Sequence, residues 1–183
     1  TIIPYGVKSI GNCAFLGCLG LTEINIPNSV TTIGESAFAN CSELTSVKLG
    51  NHLATIGKYA FGSCKRLSSI TIPNSVTKID VIAFQHCNGL ASVTLGDQLT
   101  TIEERTFENC SSLSSIIIPN SVTTIGVRAF SGCGNLGSIK MGENVISIGE
   151  YAFYDCQKYT SIILPNTLES IGAGAFQFNS SLT

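Results

Sequence analysis

The chain has 183 residues, of which 44% are hydrophobic and only 12% charged, so it can bury a large core and lacks the composition of a disordered chain. Its ten lysines and arginines are scattered singly and its net charge is −2, which excludes an extended basic surface for nucleic acid or an anionic membrane. No apolar run approaches the roughly 20 residues that cross a bilayer. The sequence starts without an initiator methionine or a signal peptide, and residues 1–4 already resemble the end of a strand. We therefore expect a mature or excised part of a longer protein.

A repeat of 23 residues runs through the chain without insertion or deletion, and positions 23 apart form columns of identical residue type. The isoleucine column is Ile10, Ile33, Ile56, Ile79, Ile102, Ile125, Ile148 and Ile171. The phenylalanine column is Phe15, Phe38, Phe61, Phe84, Phe107, Phe130, Phe153 and Phe176. The cysteine column is Cys18, Cys41, Cys64, Cys87, Cys110, Cys133 and Cys156. The leucine column is Leu21, Leu44, Leu67, Leu90, Leu113, Leu136, Tyr159 and Leu182. The columns predict about eight repeated units, called rungs below, in one domain over residues 1–183.

The rung that begins at Leu44 illustrates the elements in chain order. Residues 46–49 alternate polar and apolar side chains, as in a half-buried strand. Ile56 then points inward, and Gly57 follows it. Residues 60–67 carry apolar side chains at helical spacing over a length that allows one or two turns. Each rung is therefore predicted to contain a strand and a short helical or 3-10 turn.

Glycine occupies the position of Gly57 in six of the eight rungs, which suggests a left-handed turn at that point. Asp80 and Glu103 fill the position in the other two rungs. Because aspartate tolerates the left-handed conformation better than glutamate, the rung of Glu103 is expected to turn differently.

A rung of this length cannot bury its own apolar face, so the rungs are expected to stack with their strands paired in parallel. The pattern L-x-x-V-x-L that opens the rung at Leu44 matches the core of leucine-rich repeats. The predicted fold is a right-handed leucine-rich-repeat solenoid of mixed β structure, with a parallel sheet on its concave face.

A second period of 46 residues lies over the first. After the strand, Pro27, Pro73, Pro119 and Pro165 alternate with Gly50, Gly96 and Gly142. The true unit is therefore predicted to be a pair of rungs, although Pro4 breaks the alternation.

The pattern I/L-P-N-S-V-T-x-I-G-x-x-A-F-x-x-C-x-x-L-x-S-I resembles the BspA-like, or Treponema-type, leucine-rich repeat, most clearly over residues 26–70 and 118–162. The resemblance covers the whole chain. It implies a surface-exposed or secreted protein of a bacterium or a mucosal protist, in a family that includes adhesins and has no catalytic motif. The ends depart from the pattern, since Cys13 is an additional cysteine and Asn179 stands where the column has cysteine. Neither end has a polar capping repeat, so we expect flanking rungs or caps in the full protein and possible self-association through uncapped ends.

The seven column cysteines are interpreted as buried free thiols that act as small hydrophobic residues, and Cys13, the eighth, as the one accessible thiol. The chain has no C-x-x-C pair, so no metal site is predicted, and no cofactor is expected. His52 and His86 are 34 residues apart and lie on different faces of a 23-residue repeat, and a nucleophilic pair of His86 with Cys87 is disfavoured. The adjacent Glu103 and Glu104 are interpreted as a solvated surface. No enzyme activity is predicted.

The outward strand positions are the candidate binding residues. One column holds Asn25, Lys48, Thr71, Thr94, Ile117, Lys140 and Ile163. The preceding column holds Glu23, Ser46, Ser69, Ser92, Ser115, Ser138 and Ser161. The uniform serines suit a structural hydroxyl ladder, whereas the variable column suits recognition of a protein or glycoprotein, such as host matrix or another cell surface. Two alternatives stay open, namely neutral variation at solvent positions and a structural spacer without a specific ligand.

Overall fold

The computed structural model describes residues 1–183 as stacked rungs joined by parallel strands, which confirms the predicted repeat solenoid. Six rungs carry a three-residue strand, and these are β2 (Glu23–Asn25), β4 (Ser46–Lys48), β6 (Ser69–Thr71), β8 (Ser92–Thr94), β10 (Ser115–Ile117) and β12 (Ser138–Lys140). All eight rungs carry a two-residue strand, and these are β1 (Ser9–Ile10), β3 (Thr32–Ile33), β5 (Thr55–Ile56), β7 (Lys78–Ile79), β9 (Thr101–Ile102), β11 (Thr124–Ile125), β13 (Ser147–Ile148) and β14 (Ser170–Ile171). Strand partners lie 23 residues apart, as in the pairs Ile24↔Val47 and Ile10↔Ile33.

The three-residue strands form one sheet in the order β12-β10-β8-β6-β4-β2. The two-residue strands form two separate sheets of four, β1-β3-β5-β7 and β9-β11-β13-β14. The core lies between these ladders and the turns. It is a continuous cluster of 48 buried residues that runs along the stack.

The phenylalanine column forms the centre of that core. Six of its rings, from Phe38 to Phe153, are fully buried. Neighbouring rings lie nearly parallel, with centroids 5.0–5.5 Å apart. Each interior ring therefore contacts a like ring on both sides, and burial of these rings stabilises each junction between rungs.

The short helical turns predicted for residues 60–67 are not helices. Alternate amides in this stretch donate to the next rung, as in Phe61 N to Ala83 O at 2.9 Å. The intervening amides make local turns, as in Cys64 N to Phe61 O at 3.2 Å. Apolar spacing of three and four residues is common to a helix and to consecutive turns, so the periodicity alone did not separate them.

The left-handed residues lie at different positions from the one predicted. Gly57 does not have a positive φ, whereas Tyr59 and Ser63 have φ values of 54° and 58°, and every rung repeats this pair of positive values. The glycine column instead permits close approach of neighbouring rungs. A Cβ on Gly57 would lie 2.7 Å from the carbonyl carbon of Gly34.

The second ladder is interrupted between β7 and β9, where Asp80 and Glu103 replace glycine. At the next junction Gly126 N donates to Ile102 O at 2.7 Å, but Glu103 N makes no such bond to Ile79 O. A cavity of about 280 Å³ opens there. Arg105 has the usual left-handed φ of 53°, so the turn of this rung is unchanged and the difference lies in the contact between rungs. Asp80 N still donates to Ile56 O at 2.9 Å across from Gly57, so the ladder opens only at the junction where two side chains, Asp80 and Glu103, meet in place of glycine.

The predicted pairing of proline and glycine rungs has a direct steric cause. A Cβ on Gly50 would lie 2.6 Å from the carbonyl oxygen of Pro27, and the same contact recurs at Gly96 and Gly142. In addition, Asn28 Oδ1 accepts a hydrogen bond from Asn51 N at 2.8 Å. Glycine therefore allows the close approach after Pro27, Pro73 and Pro119, which makes 46 residues the structural unit from Pro27 onward.

The cysteine column forms a ladder of thiols that donate to backbone carbonyls. Cys87 Sγ, for example, donates to Phe61 O at 3.0 Å. Six of the seven column cysteines are buried, but Cys18 is exposed, contrary to the prediction that all seven point into the core. At the other end, Asn179 Nδ2 donates to Phe153 O at 2.9 Å and so makes the bond that a thiol makes elsewhere.

Candidate interaction surface

The outward side chains of the first sheet form a continuous surface, called the strand face below, which also includes Ser161 and Ile163. In five of its six strands the burial pattern is exposed, buried, exposed, so both outward columns are accessible to solvent. In β12 the central Ile139 is half-buried rather than buried.

The variable column is aligned on this face as predicted. Asn25 pairs in register with Lys48, and Ile117 pairs with Lys140. Ile117 is 63% exposed. The structure thus brings six of the seven candidate side chains into one row, at the strand spacing of roughly 4.8 Å.

Ile163, the seventh, lies outside the sheet, because residues 160–164 do not form a strand. Its side chain is 86% exposed. It borders a cavity of about 460 Å³ whose other wall includes Ser138 and Lys140.

The serine column does not form the structural hydroxyl ladder that was predicted. The hydroxyls that bond along the stack belong to the preceding residue, as in Thr45 Oγ1 to Thr22 O at 3.0 Å and Ser68 Oγ to Thr45 O at 3.3 Å. Ser46, Ser69 and their equivalents have no side-chain hydrogen bond within the chain. These exposed hydroxyls are therefore free to bond to a partner or to water.

Charge on the strand face is sparse. Lys48 and Lys140 take no part in the five ion pairs of the chain, which all lie on other surfaces. Glu23 supplies a negative charge beside Asn25. A row of hydroxyls with two unpaired cations and an exposed isoleucine can make polar and apolar contacts with a protein surface.

The cysteines and histidines do not assemble a reactive site. The thiol of Cys87 donates to a carbonyl rather than to His86, and burial raises its pKa to about 12. The chain has no cluster of three or more metal-ligating side chains. Glu104 lies 3.5 Å from Arg105 Nε and is not paired with a second acid.

A further cavity, of about 300 Å³, lies on the turn side and was not found from the sequence. The Arg128 guanidinium lies 5.2 Å from the Tyr151 ring centroid, and the Tyr154 ring meets Tyr151 and Phe178 edge-on. The sequence could have indicated this cavity, because Tyr151, Tyr154 and Phe178 are aromatic residues in turn columns that are mostly small or polar in other rungs.

Comparison with known proteins gives one family and several solved structures. The family described as BspA type Leucine rich repeat region matches in six copies, over residues 1–114 and 100–183. No curated protein matches the chain.

Two solved structures are 28–29% identical to the chain. A leucine rich repeat protein of T. pallidum has 28% identity and a TM-score of 0.72, over 100% of this chain and 77% of that one. A leucine rich cell surface protein of Faecalibacterium prausnitzii has 29% identity and a TM-score of 0.63, over 96% of this chain and 65% of that one. The pneumococcal vaccine antigen PcpA shares the fold at 21% identity and a TM-score of 0.54, and this chain spans 50% of its length.

Proposed function

Since this chain is a member of the BspA-type leucine-rich-repeat family, we propose that it is a protein-binding module of a secreted or cell-surface protein. In this proposal the module is adhesin-like, because it recognises a protein or glycoprotein through its strand face. The family is a repeat scaffold without catalytic residues, so binding is the function to be explained. The structure has no helix of the length and apolarity that a membrane span needs. A surface or secreted location is supported by the description of the F. prausnitzii structure as a cell surface protein.

The observation that carries the proposal is the exposed row from Asn25 to Lys140 with its unpaired serine hydroxyls. The row contains side chains that vary in size, charge and polarity, whereas the neighbouring column on the same face is nearly uniform serine. Structural requirements of the stack do not explain that variation, because these side chains make none of the contacts between rungs described above. Partner recognition through Lys48, Lys140 and Ile117 explains why they remain exposed.

The test is direct binding of the purified chain to a panel of immobilised matrix and serum glycoproteins. The double variant Lys48→Glu/Lys140→Glu removes two attractions and introduces two repulsions, and it should weaken binding by roughly tenfold or more. The variant Lys58→Glu/Lys65→Glu changes the net charge equally at exposed positions on the turn side and should bind as the parent does.

Equal loss of binding in both variants would refute a site on the strand face and point to net charge alone. Absence of binding by the parent to every member of the panel would favour the alternative of a structural spacer.

A further inference from the structure

The first sheet ends abruptly at β12. In the preceding rungs an amide just before the strand donates to the rung before it, and Gly137 N donates to Ser114 O at 2.8 Å in this way. Thr160 N makes no such bond to Gly137 O, and residues 160–164 form no strand. The rungs nevertheless stay stacked elsewhere, because β13 and β14 are paired and Phe153 and Phe176 are 5.5 Å apart. The opening is therefore confined to the strand face.

From this open edge we infer that β12 binds an extended segment of a partner protein, which adds to the sheet as a further strand. The inference rests on the proposed protein-binding role. It specifies that the bound segment of the partner is extended and that it lies beside β12 on the strand face.

The cause of the opening can be read in the leucine column, which contains Tyr159 where seven other rungs have leucine. Its ring is 99% buried, with 1% exposure, in the slot that a smaller leucine occupies elsewhere. Asn179 Nδ2 donates to its hydroxyl at 2.7 Å and holds it there. A larger side chain in a packed slot displaces the backbone next to it. The residues that follow, Ile162 and Leu164, are only half-buried, as are Ile139 and Met141 on the other side of the opening, whereas most of their equivalents in other rungs are buried.

The groove beside β12 has the lining that an extended peptide requires. Its volume is about 460 Å³, and Ile139 and Met141 supply apolar surface along it. The groups left without partners are backbone groups of a strand edge, including the Gly137 carbonyl. Only another extended backbone presents donors and acceptors at the matching repeat, so a polypeptide fits this edge better than a small molecule does.

Charge at the two ends of the groove favours one class of segment. Lys140 borders the groove, and the Lys158 side chain lies near its start, with Cβ 3.9 Å from a Cβ placed on Gly137. Glu143 lies at its other end. A segment running parallel to β12 would therefore be acidic near its N-terminus and basic near its C-terminus, with alternating apolar and hydroxyl residues between.

The experiment uses a labelled nine-residue peptide with aspartate near the N-terminus, alternating isoleucine and threonine, and lysine near the C-terminus. Its affinity for the 183-residue chain is measured by fluorescence anisotropy. Saturable binding is expected. Exchange of the two charged residues should weaken it at least threefold, and N-methylation of the central amides at least tenfold, since that removes the backbone donors.

Variants of the protein separate the groove from the rest of the strand face. Tyr159→Leu restores the column residue, should close the edge and should weaken peptide binding at least tenfold. Tyr159→Phe keeps the ring and should bind within threefold of the parent, which is the control for the lost hydroxyl. Thermal melting verifies that both variants fold. If Tyr159→Leu does not fold, the N-methylated peptide and Tyr159→Phe decide the question.

A parent chain that does not bind the peptide, or a folded Tyr159→Leu variant that binds it as tightly as the parent, would overturn the inference. The broader proposal fails separately. If a panel protein binds in a manner sensitive to Lys48→Glu but unaffected by Tyr159→Leu, the strand face is the site and strand addition is not its mode.

Discussion

Truncation of Phe84 to alanine removes a ring from the middle of the stacked core. Phe84 is fully buried, and Phe61 and Phe107 lie on either side of it with ring centroids 5.4 Å away. Loss of a buried phenylalanine side chain costs about 3–5 kcal/mol, which includes the two ring contacts. For a chain of this size, that corresponds to a fall in Tm of about 6–20 °C. Thermal unfolding followed by circular dichroism measures it.

The matched control is Phe15→Ala in the first rung. Phe15 is only partly buried and stacks on one neighbour, Phe38, at 5.0 Å. Its loss should lower stability by less than half as much, because end rungs fray independently in a solenoid. If Phe84→Ala melts within 1–2 °C of the parent, or if the two variants are equally destabilised, the reasoning that interior rings hold the rungs together is wrong.

Further predictions concern the contacts between rungs and the cysteine thiols. Gly57→Ala should lower the free energy of unfolding by more than about 1 kcal/mol, because the added methyl group would lie 2.7 Å from the backbone of the neighbouring rung. The control is Gly134→Ala, whose methyl group faces open space and should leave that free energy nearly unchanged. Denaturant unfolding measures both variants. Glu103→Gly should let the interrupted ladder close and slow hydrogen exchange of its own amide, and an unchanged exchange rate would argue against the steric explanation. Thiol reagents should modify the native chain at Cys13 and Cys18 alone, because these two thiols are exposed. The free energy of unfolding should fall as the pH rises from about 9 to about 12. Over that range the thiols of the unfolded chain ionise, whereas burial raises the pKa of Cys87 and Cys156 in the folded chain to about 12. A denaturation midpoint that stays constant over that range would contradict the last point.

Much of the fold followed from the sequence because a strict period constrains every rung at once. The columns containing Phe84 and Cys87 identified the core, and polar residues flanking Val47 identified the strand face. The chemistry of each column is visible in seven or eight copies, so a single ambiguous residue has little influence.

Features that depend on contacts between rungs were not predictable in the same way. In the sequence, Gly57 is consistent both with a left-handed turn and with close approach of neighbouring rungs. Only the structure distinguishes these two roles. The helical spacing of residues 60–67 is shared by consecutive turns. The open edge beside β12 depends on the volume of one residue, Tyr159, in a slot whose size the sequence does not give.

The most direct test of the strand-face proposal is the hydrogen-exchange footprint of the chain bound to its highest-affinity partner from the panel. Protection should appear in and beside β2, β4, β6, β8, β10 and β12, and should be strongest near Lys140 and residues 160–164. The turn side, including residues 57–66, should exchange as in the free chain. Protection of the turn side with an unchanged strand face would contradict the proposal that this solenoid binds its partner through its strands.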